Sequence, residues 1–198
     1  MNAIYDIHTH NPHAQNALIS VESPLDMRHP HGSYSIGIHP WHAHLPYDFS
    51  AIEDTASCDT RVMAIGETGL DTLAEAPLGE QEHLLRRHIE LSERLAKPLI
   101  LHIVRAWDRL LRLHRECRPT QPWIVHGFRG KPALARQLAG VGIYLSIGER
   151  FNPASLKLIP PGQLLIESDE SRLTIEEIAA RSNVPLRDLW PLIYPKLD

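Results

Sequence analysis

Cysteine is nearly absent from this chain. Among 198 residues there are two, Cys58 and Cys117, isolated and without Cys-x-x-Cys spacing, so neither a zinc ribbon nor a disulfide scaffold is indicated. A reducing cytoplasm is the expected compartment. Long apolar runs are missing too: none approaches the roughly 20 residues that cross a bilayer, so no membrane partner is expected. The first residues, Met1 to Asp6, run directly into a strand-like segment and lack the basic region and apolar core of a secretory signal. Positive charge is scarce, and a formal net charge of −4 argues against a protein that coats nucleic acid. It is compatible with a nuclease, because bound metal ions would bring their own positive charge. Repeats, low-complexity tracts and Gly/Ser linkers are also absent. With 43% hydrophobic and 22% charged residues, residues 1–198 read as one compact soluble domain with no stable protein partner indicated.

What the chain has instead is histidine, 13 in all, a common metal ligand and general acid–base group. It also has a regular succession of short apolar runs. These read as strands at about 3–8, 17–21, 34–38, 62–66, 98–103, 122–126, 142–147 and 163–167, each of four to six aliphatic or aromatic residues bounded by Gly or Pro. The later intervening segments have helical periodicity. Leu84, Leu85, Ile89, Leu91 and Leu95 share a stripe, as do Trp107, Leu110, Leu111 and Leu113, and then Leu134, Leu138 and Val141. Thr174 to Glu177 has the form of a capping box. Strands alternating with helices predict an α/β fold with a parallel sheet, and eight strands predict closure into a compact TIM-like (β/α)8 barrel. The first three connections are short or proline-rich, so the early helices are expected to be trimmed.

An active site in such a barrel forms at the C-terminal strand ends, which directs attention to the polar residues closing each apolar run. The first run ends in His8-Thr9-His10. Strand alternation puts both imidazoles on one face, about 7 Å apart at the backbone, able to converge on one ion. A chain this rich in histidine yields about one His-x-His pair by chance, so the pair carries little weight alone. The other strand ends change that balance. The fourth run closes on Glu67, the fifth on His102, the sixth on His126 and the eighth on Glu167-Ser168-Asp169. A carboxylate ending a hydrophobic run, as Glu67 does, is costly to bury without a metal or hydrogen-bond partner. Nitrogen and oxygen donors suit Zn²⁺, Mn²⁺ or Fe²⁺, and Mg²⁺ is also compatible.

These segments together resemble the TatD family of metal-dependent deoxyribonucleases, within the amidohydrolase-type barrels. The motifs are Asp6-Ile7-His8-Thr9-His10, Gly37-Ile38-His39-Pro40-Trp41, Ala64 to Asp71 (AIGETGLD), Pro98 to His102 (PLILH), His126-Gly127-Phe128-Arg129-Gly130-Lys131 and Glu167-Ser168-Asp169. They run nearly end to end in the family's order and are closest to a short bacterial branch. The resemblance implies two divalent metal ions, Zn, Mn or Mg. His8, His10 and Asp169 would hold one, and Glu67 would bridge to a second held by His102 and His126. The ions would share a hydroxide that attacks phosphorus, with Asp169 orienting or deprotonating the water. DNA or another phosphoester is the implied substrate. The chain departs from the family where Glu167-Ser168-Asp169 is followed by Glu170-Ser171 rather than a small residue and Pro, and its early barrel segment is shorter.

His39 matches a family residue that faces the substrate. Arg105, Arg129 and Lys131 follow ligand-bearing strands, where guanidinium and ammonium groups can contact phosphate, and Trp41 and Phe128 offer possible stacking faces. Asp71 is expected to fix the loop after Glu67. His13, His29, His31, His42 and His44 are expected at the surface, and His83, His88 and His114 on outer helices without a function. Two other readings stay open: hydrolysis of a small-molecule ester, amide or lactone on the same barrel, and a non-catalytic metal-binding relic.

Overall fold

The computed structural model describes residues 3–194. Its eight strands are β1 Asp6–Thr9, β2 Ala17–Val21, β3 Ser33–Ile36, β4 Val62–Asp71, β5 Leu99–Val104, β6 Trp123–Val125, β7 Tyr144–Ile147 and β8 Leu164–Ile166. All neighbours are parallel and the sheet order is the sequence order. A bridge between Thr9 and Asp169 brings the last strand back to the first. This is the TIM-like (β/α)8 barrel that the apolar runs predict.

The helices are α1 Phe49–Cys58, α2 Leu78–Leu95, α3 Trp107–Cys117, α4 Pro132–Gly140, α5 Pro153–Leu156, α6 Ile175–Ser182 and α7 Trp190–Ile193. Thr174 and Glu177 form the expected capping box at α6. Of the three early connections the first two are trimmed, the second holding only a 3₁₀ turn, Pro24–Asp26; the β7–β8 connection is short as well, with the four-residue α5. The third early connection corrects the expectation, because it carries α1. Its prolines all precede the helix, and the Asp48 side chain caps it by accepting from the backbone N–H groups of Ser50 and Ala51. Phe49, Ile52 and Ala56 are the face that α1 buries. Val141 lies beyond the end of α4 and is exposed rather than on its buried stripe.

Strand alternation divides the core in two. Leu99, Leu101, Ile103, Val125 and Leu145 point outward and pack under the helices, with Leu84, Leu85 and Ile89 of α2 among their partners. Ile7, Leu18, Ala64, Ile100, Ile124 and Leu165 fill the barrel, joined by Leu189 and Ile193 at α7. Ile100, Ile124 and Leu165 stand two residues before His102, His126 and Glu167. A strand repeats every two residues, so the face that is apolar in the barrel's middle becomes polar at its mouth.

Candidate metal centre

Glu67 reaches the mouth through a local irregularity in β4. Between the Ile65–Leu99 and Thr68–Leu101 pairs, β4 advances three residues while β5 advances two. The extra residue re-aims the side chain, as a β-bulge does. Gly66 and Gly69 flank Glu67 with φ of +122° and +155°, values that side chains with a Cβ rarely adopt. A Cβ on Gly69 would also collide with the backbone carbonyl of His102.

The buried Glu67 carboxylate is the hub of the site. Its Oε2 lies 3.3 Å from His8 Nε2 and 3.3 Å from His10 Nε2. Its Oε1 lies 2.7 Å from His126 Nε2, 3.0 Å from His102 Nδ1 and 3.3 Å from His39 Nε2. Asp169 Oδ1 stands 3.8 Å from the Nε2 atoms of both His8 and His10. One carboxylate thus presents each oxygen to a separate set of imidazoles. Donor atoms in three overlapping groups lie close enough to share an ion: His8, His10 and Glu67; His8, His126 and Asp169; His39, Glu67 and His102.

This arrangement fits a metal better than a hydrogen-bonded cluster. Two ligand atoms on one tetrahedral Zn²⁺, each about 2.0–2.1 Å from it, stand about 3.3 Å apart, the separation that His8 and His10 keep from Glu67 Oε2. Both ring nitrogens of His8 are buried without a hydrogen-bond partner among the described residues, a costly state that coordination would relieve.

Asp169 owes its place to the seam between β1 and β8. Its N–H donates to the His8 carbonyl at 3.0 Å, and its own carbonyl accepts from His10 N–H at 3.2 Å. The neighbouring Ser168 N–H donates to Asp6 Oδ1 at 3.0 Å. Burial drives the Asp6 carboxyl up to about 7 despite these donated bonds.

Behind the rings stand further carboxylates. His102 Nε2 lies 3.2 Å from Asp71 Oδ2, which also accepts the Trp41 indole N–H at 2.6 Å. His126 Nδ1 faces the fully buried Glu167 at 3.5 Å without forming a hydrogen bond, while Glu167 Oε1 accepts Gly127 N–H at 2.6 Å. Burial alone would raise the Glu67 carboxyl, but His126 and His8, with bonds from His10 and His102, hold it well below the usual carboxylate range. Burial would lower His126, and Glu67 and Glu167 overcome it to hold the imidazole well above its ordinary value.

The structure gathers His8, His10, Glu67, His102, His126, Asp169 and His39 at one mouth. In His39, Nδ1 accepts the Trp41 backbone N–H at 3.2 Å, which leaves the proton of the neutral ring on Nε2, facing the cluster. Arg105 directly follows β5, and Arg129 and Lys131 lie between β6 and α4. All three are exposed, with no hydrogen bond or ion pair among the described residues. Phe128 is withdrawn as a stacking face, since it is buried against Trp107. Trp41 is 55% exposed and edge-on to His39 at 5.2 Å.

Three contributors escaped the sequence reading. Glu167 stands in the sequence only as part of the Glu167-Ser168-Asp169 motif. Gln81 clamps Asp71, accepting its N–H at 2.7 Å and donating to its carbonyl at 2.9 Å. His88, assigned to the outer ring without a function, is fully buried and accepts Ile38 N–H at 3.1 Å. A signal existed for His88: it falls on the Leu84–Leu91 stripe of α2.

A parallel barrel with a carboxylate–imidazole cluster at its C-terminal mouth is a frame on which divalent ions could be held. The family described as TatD related DNase matches residues 13–185, and the chain belongs to the TatD family. It is similar to the uncharacterized metal-dependent hydrolase BU355 of Buchnera aphidicola, with 30% identity covering 77% of this chain and 64% of the relative. It is 33% identical to the 3'-5' ssDNA/RNA exonuclease TatD of Cronobacter sakazakii, covering 73% of this chain and 59% of that protein. The chain thus spans about 60% of the length of the curated relatives it matches. Among solved structures, the TatD homologue YjjV of Escherichia coli K12 superposes with a TM-score of 0.76 at 19% identity, over 97% of this chain and 89% of that one. A TatD family hydrolase of Entamoeba histolytica gives 0.66 at 18%, over 84% and 73%. These two likenesses concern the fold. No helix among the described residues is long and apolar enough to cross a membrane.

Proposed function

We propose that this chain is a two-metal phosphodiesterase that removes nucleotides from the ends of DNA or RNA strands. The observation that carries the reading is the Glu67 carboxylate, each of whose oxygens faces its own set of imidazoles within 3.3 Å. The family description and the name of the Cronobacter relative support nucleic acid as the substrate class.

In this reading residues 1–198 act as one hydrolase domain. His8, His10, Asp169 and Glu67 would hold one divalent ion, and His102, His126 and Glu67 would hold the second. Bound ions supply Lewis acidity at the phosphoryl group and lower the pKa of an attacking water. The residues supply the rest. Asp169, half-buried beside His8 and His10, orients the water and takes its proton. His39 donates its Nε2–H to a phosphate oxygen. Arg105, Arg129 and Lys131, whose charges are uncommitted, hold flanking phosphates.

The test is hydrolysis of single-stranded DNA, double-stranded DNA and bis(p-nitrophenyl) phosphate by metal-stripped protein, with Mg²⁺, Mn²⁺ or Zn²⁺ restored and Glu67→Ala as control. Metal-dependent cleavage that Glu67→Ala abolishes supports the reading. Metal uptake without phosphodiester cleavage sinks it and favours a small-molecule ester, amide or lactone. The exposed Glu170, next to Asp169, is the feature that suits such an uncharged substrate.

A further inference from the structure

The two candidate ion positions share Glu67 but are not built alike. At His102, Asp71 Oδ2 lies 3.2 Å behind the ring at Nε2, while Nδ1 points forward, 3.0 Å from Glu67 Oε1 and 3.2 Å from His126 Nε2. A neutral imidazole carries one N–H, and an ionised carboxylate can only accept. Without an ion, Glu67 and Asp71 compete for that proton; with an ion in front of Nδ1 the proton must sit on Nε2, where Asp71 is placed to accept it.

Asp71 is itself immobilised. It is 1% exposed. Its Oδ1 accepts Leu73 N–H at 2.8 Å, its Oδ2 accepts the Trp41 indole, and Gln81 spans its backbone N–H and carbonyl. His126 has a second buried carboxylate, Glu167, within 3.5 Å of its rear nitrogen. The other position has no such backing. The rear nitrogen of His8 is buried with no partner, and the His10 side chain is 43% exposed, with no rear hydrogen bond among the described residues.

We propose that Asp71 is a positioning residue that fixes the proton and orientation of His102, making the Glu67–His102–His126 position the tighter of the two and the first to fill. Carboxylates behind metal-binding histidines set ring orientation and basicity, and losing one typically costs about 10–100-fold in metal affinity. This inference rests on the two-ion reading above.

Zn²⁺ binding to metal-stripped protein, followed by equilibrium dialysis and calorimetry, tests it without reference to activity. The expected result is two classes of one ion each. Asp71→Asn should weaken the tighter class by about 10–100-fold and leave the weaker class unchanged, while His10→Ala should remove the weaker class alone. Equal loss in both classes, or no loss, overturns the proposal. A single ion per chain overturns the two-ion reading itself, so the two failures are distinguishable. If Asp71→Asn does not fold, ¹⁵N NMR of zinc-loaded wild-type protein decides. His102 must show a zinc-bound Nδ1 and a protonated Nε2, and the opposite assignment overturns the proposal. A purely structural role for Asp71 would produce neither the selective loss nor that signature.

Discussion

The Nε2 atom of His88, buried on helix α2, accepts the backbone N–H of Ile38, the residue before His39, at 3.1 Å. Its Nδ1–H faces the Leu84 carbonyl at 2.9 Å, so both nitrogens of a neutral ring are committed. Burial lowers this imidazole to about 4 from an ordinary 6.5. Between those values an unfolded chain binds a proton that the folded one refuses, so stability falls as pH drops from 6.5 toward 4, by up to roughly 3 kcal/mol. Asp6, raised to about 7, acts in the opposite direction over much of the same range. His88→Gln keeps one acceptor and one donor but does not titrate, and the Asp6 contribution cancels when variant and wild type are compared. Urea unfolding across pH 4–7 should show wild type losing ground to the variant toward acid. A pH-independent difference would refute the assignment.

Zinc stabilisation should grow with pH. In the metal-free protein His126 is raised above its ordinary 6.5, so its contribution is complete below that value and is lost as pH rises through the folded one. Glu67 is lowered below its ordinary 4.5, and its contribution is lost only as pH falls through that lowered value. Zn²⁺ must displace the His126 proton before it binds. Thermal melts with Zn²⁺ and with chelator should therefore diverge progressively from pH 6 to 8. Parallel curves would show that no imidazolium has to be discharged.

Glu67→Gln keeps the side chain's shape and removes its charge. Both ions should bind more weakly, because both rely on this carboxylate. Phosphodiester cleavage should fall by at least about 10²-fold, the scale of losing one preorganised electrostatic partner. Metal content by elemental analysis, measured beside activity, checks the prediction. Retention of one full-affinity ion would show that Glu67 does not bridge.

Trp41 presents an exposed ring beside His39. If it stacks a base, Trp41→Ala should raise KM for single-stranded DNA by about 5- to 150-fold, from roughly 1–3 kcal/mol per stacked base. KM for bis(p-nitrophenyl) phosphate should stay within about twofold. Trp41→Phe, which loses the bond to Asp71 but keeps an aromatic face, should recover most of the DNA affinity. Equal effects on both substrates would assign Trp41 to the support of Asp71 instead.

Much of this is legible in the sequence alone. Each strand announced itself because a barrel strand is apolar on both faces until its last residues, so Leu99 to His102 reads as a strand and a functional group at once. The hydrophobic period also found α2 and α3. What escaped was tertiary. Asp71 follows Glu67 by four residues, yet its contact with His102 is made across strands. Glu167 and Asp169 look equivalent in sequence, and only the seam geometry turns one behind His126 and the other toward His8. Helix α1 was obscured by the prolines before it, although Asp48 offered a cap. Arg105, Arg129 and Lys131 were legible as positions but not as contacts, since no described residue binds their charges.

The seam between β1 and β8 has a consequence for how the molecule comes into being. Asp169 reaches the cluster through backbone bonds to His8 and His10 and a bond from the Thr9 hydroxyl, across 160 residues of chain. During synthesis the two histidines therefore emerge early and must wait for nearly everything else before their carboxylate partner arrives. A growing or truncated chain can display seven strands and five imidazoles without a finished centre. An ion caught between His8, His10 and Asp169 would be a fastener on a closed ring, and its retention a check that translation had reached the eighth strand.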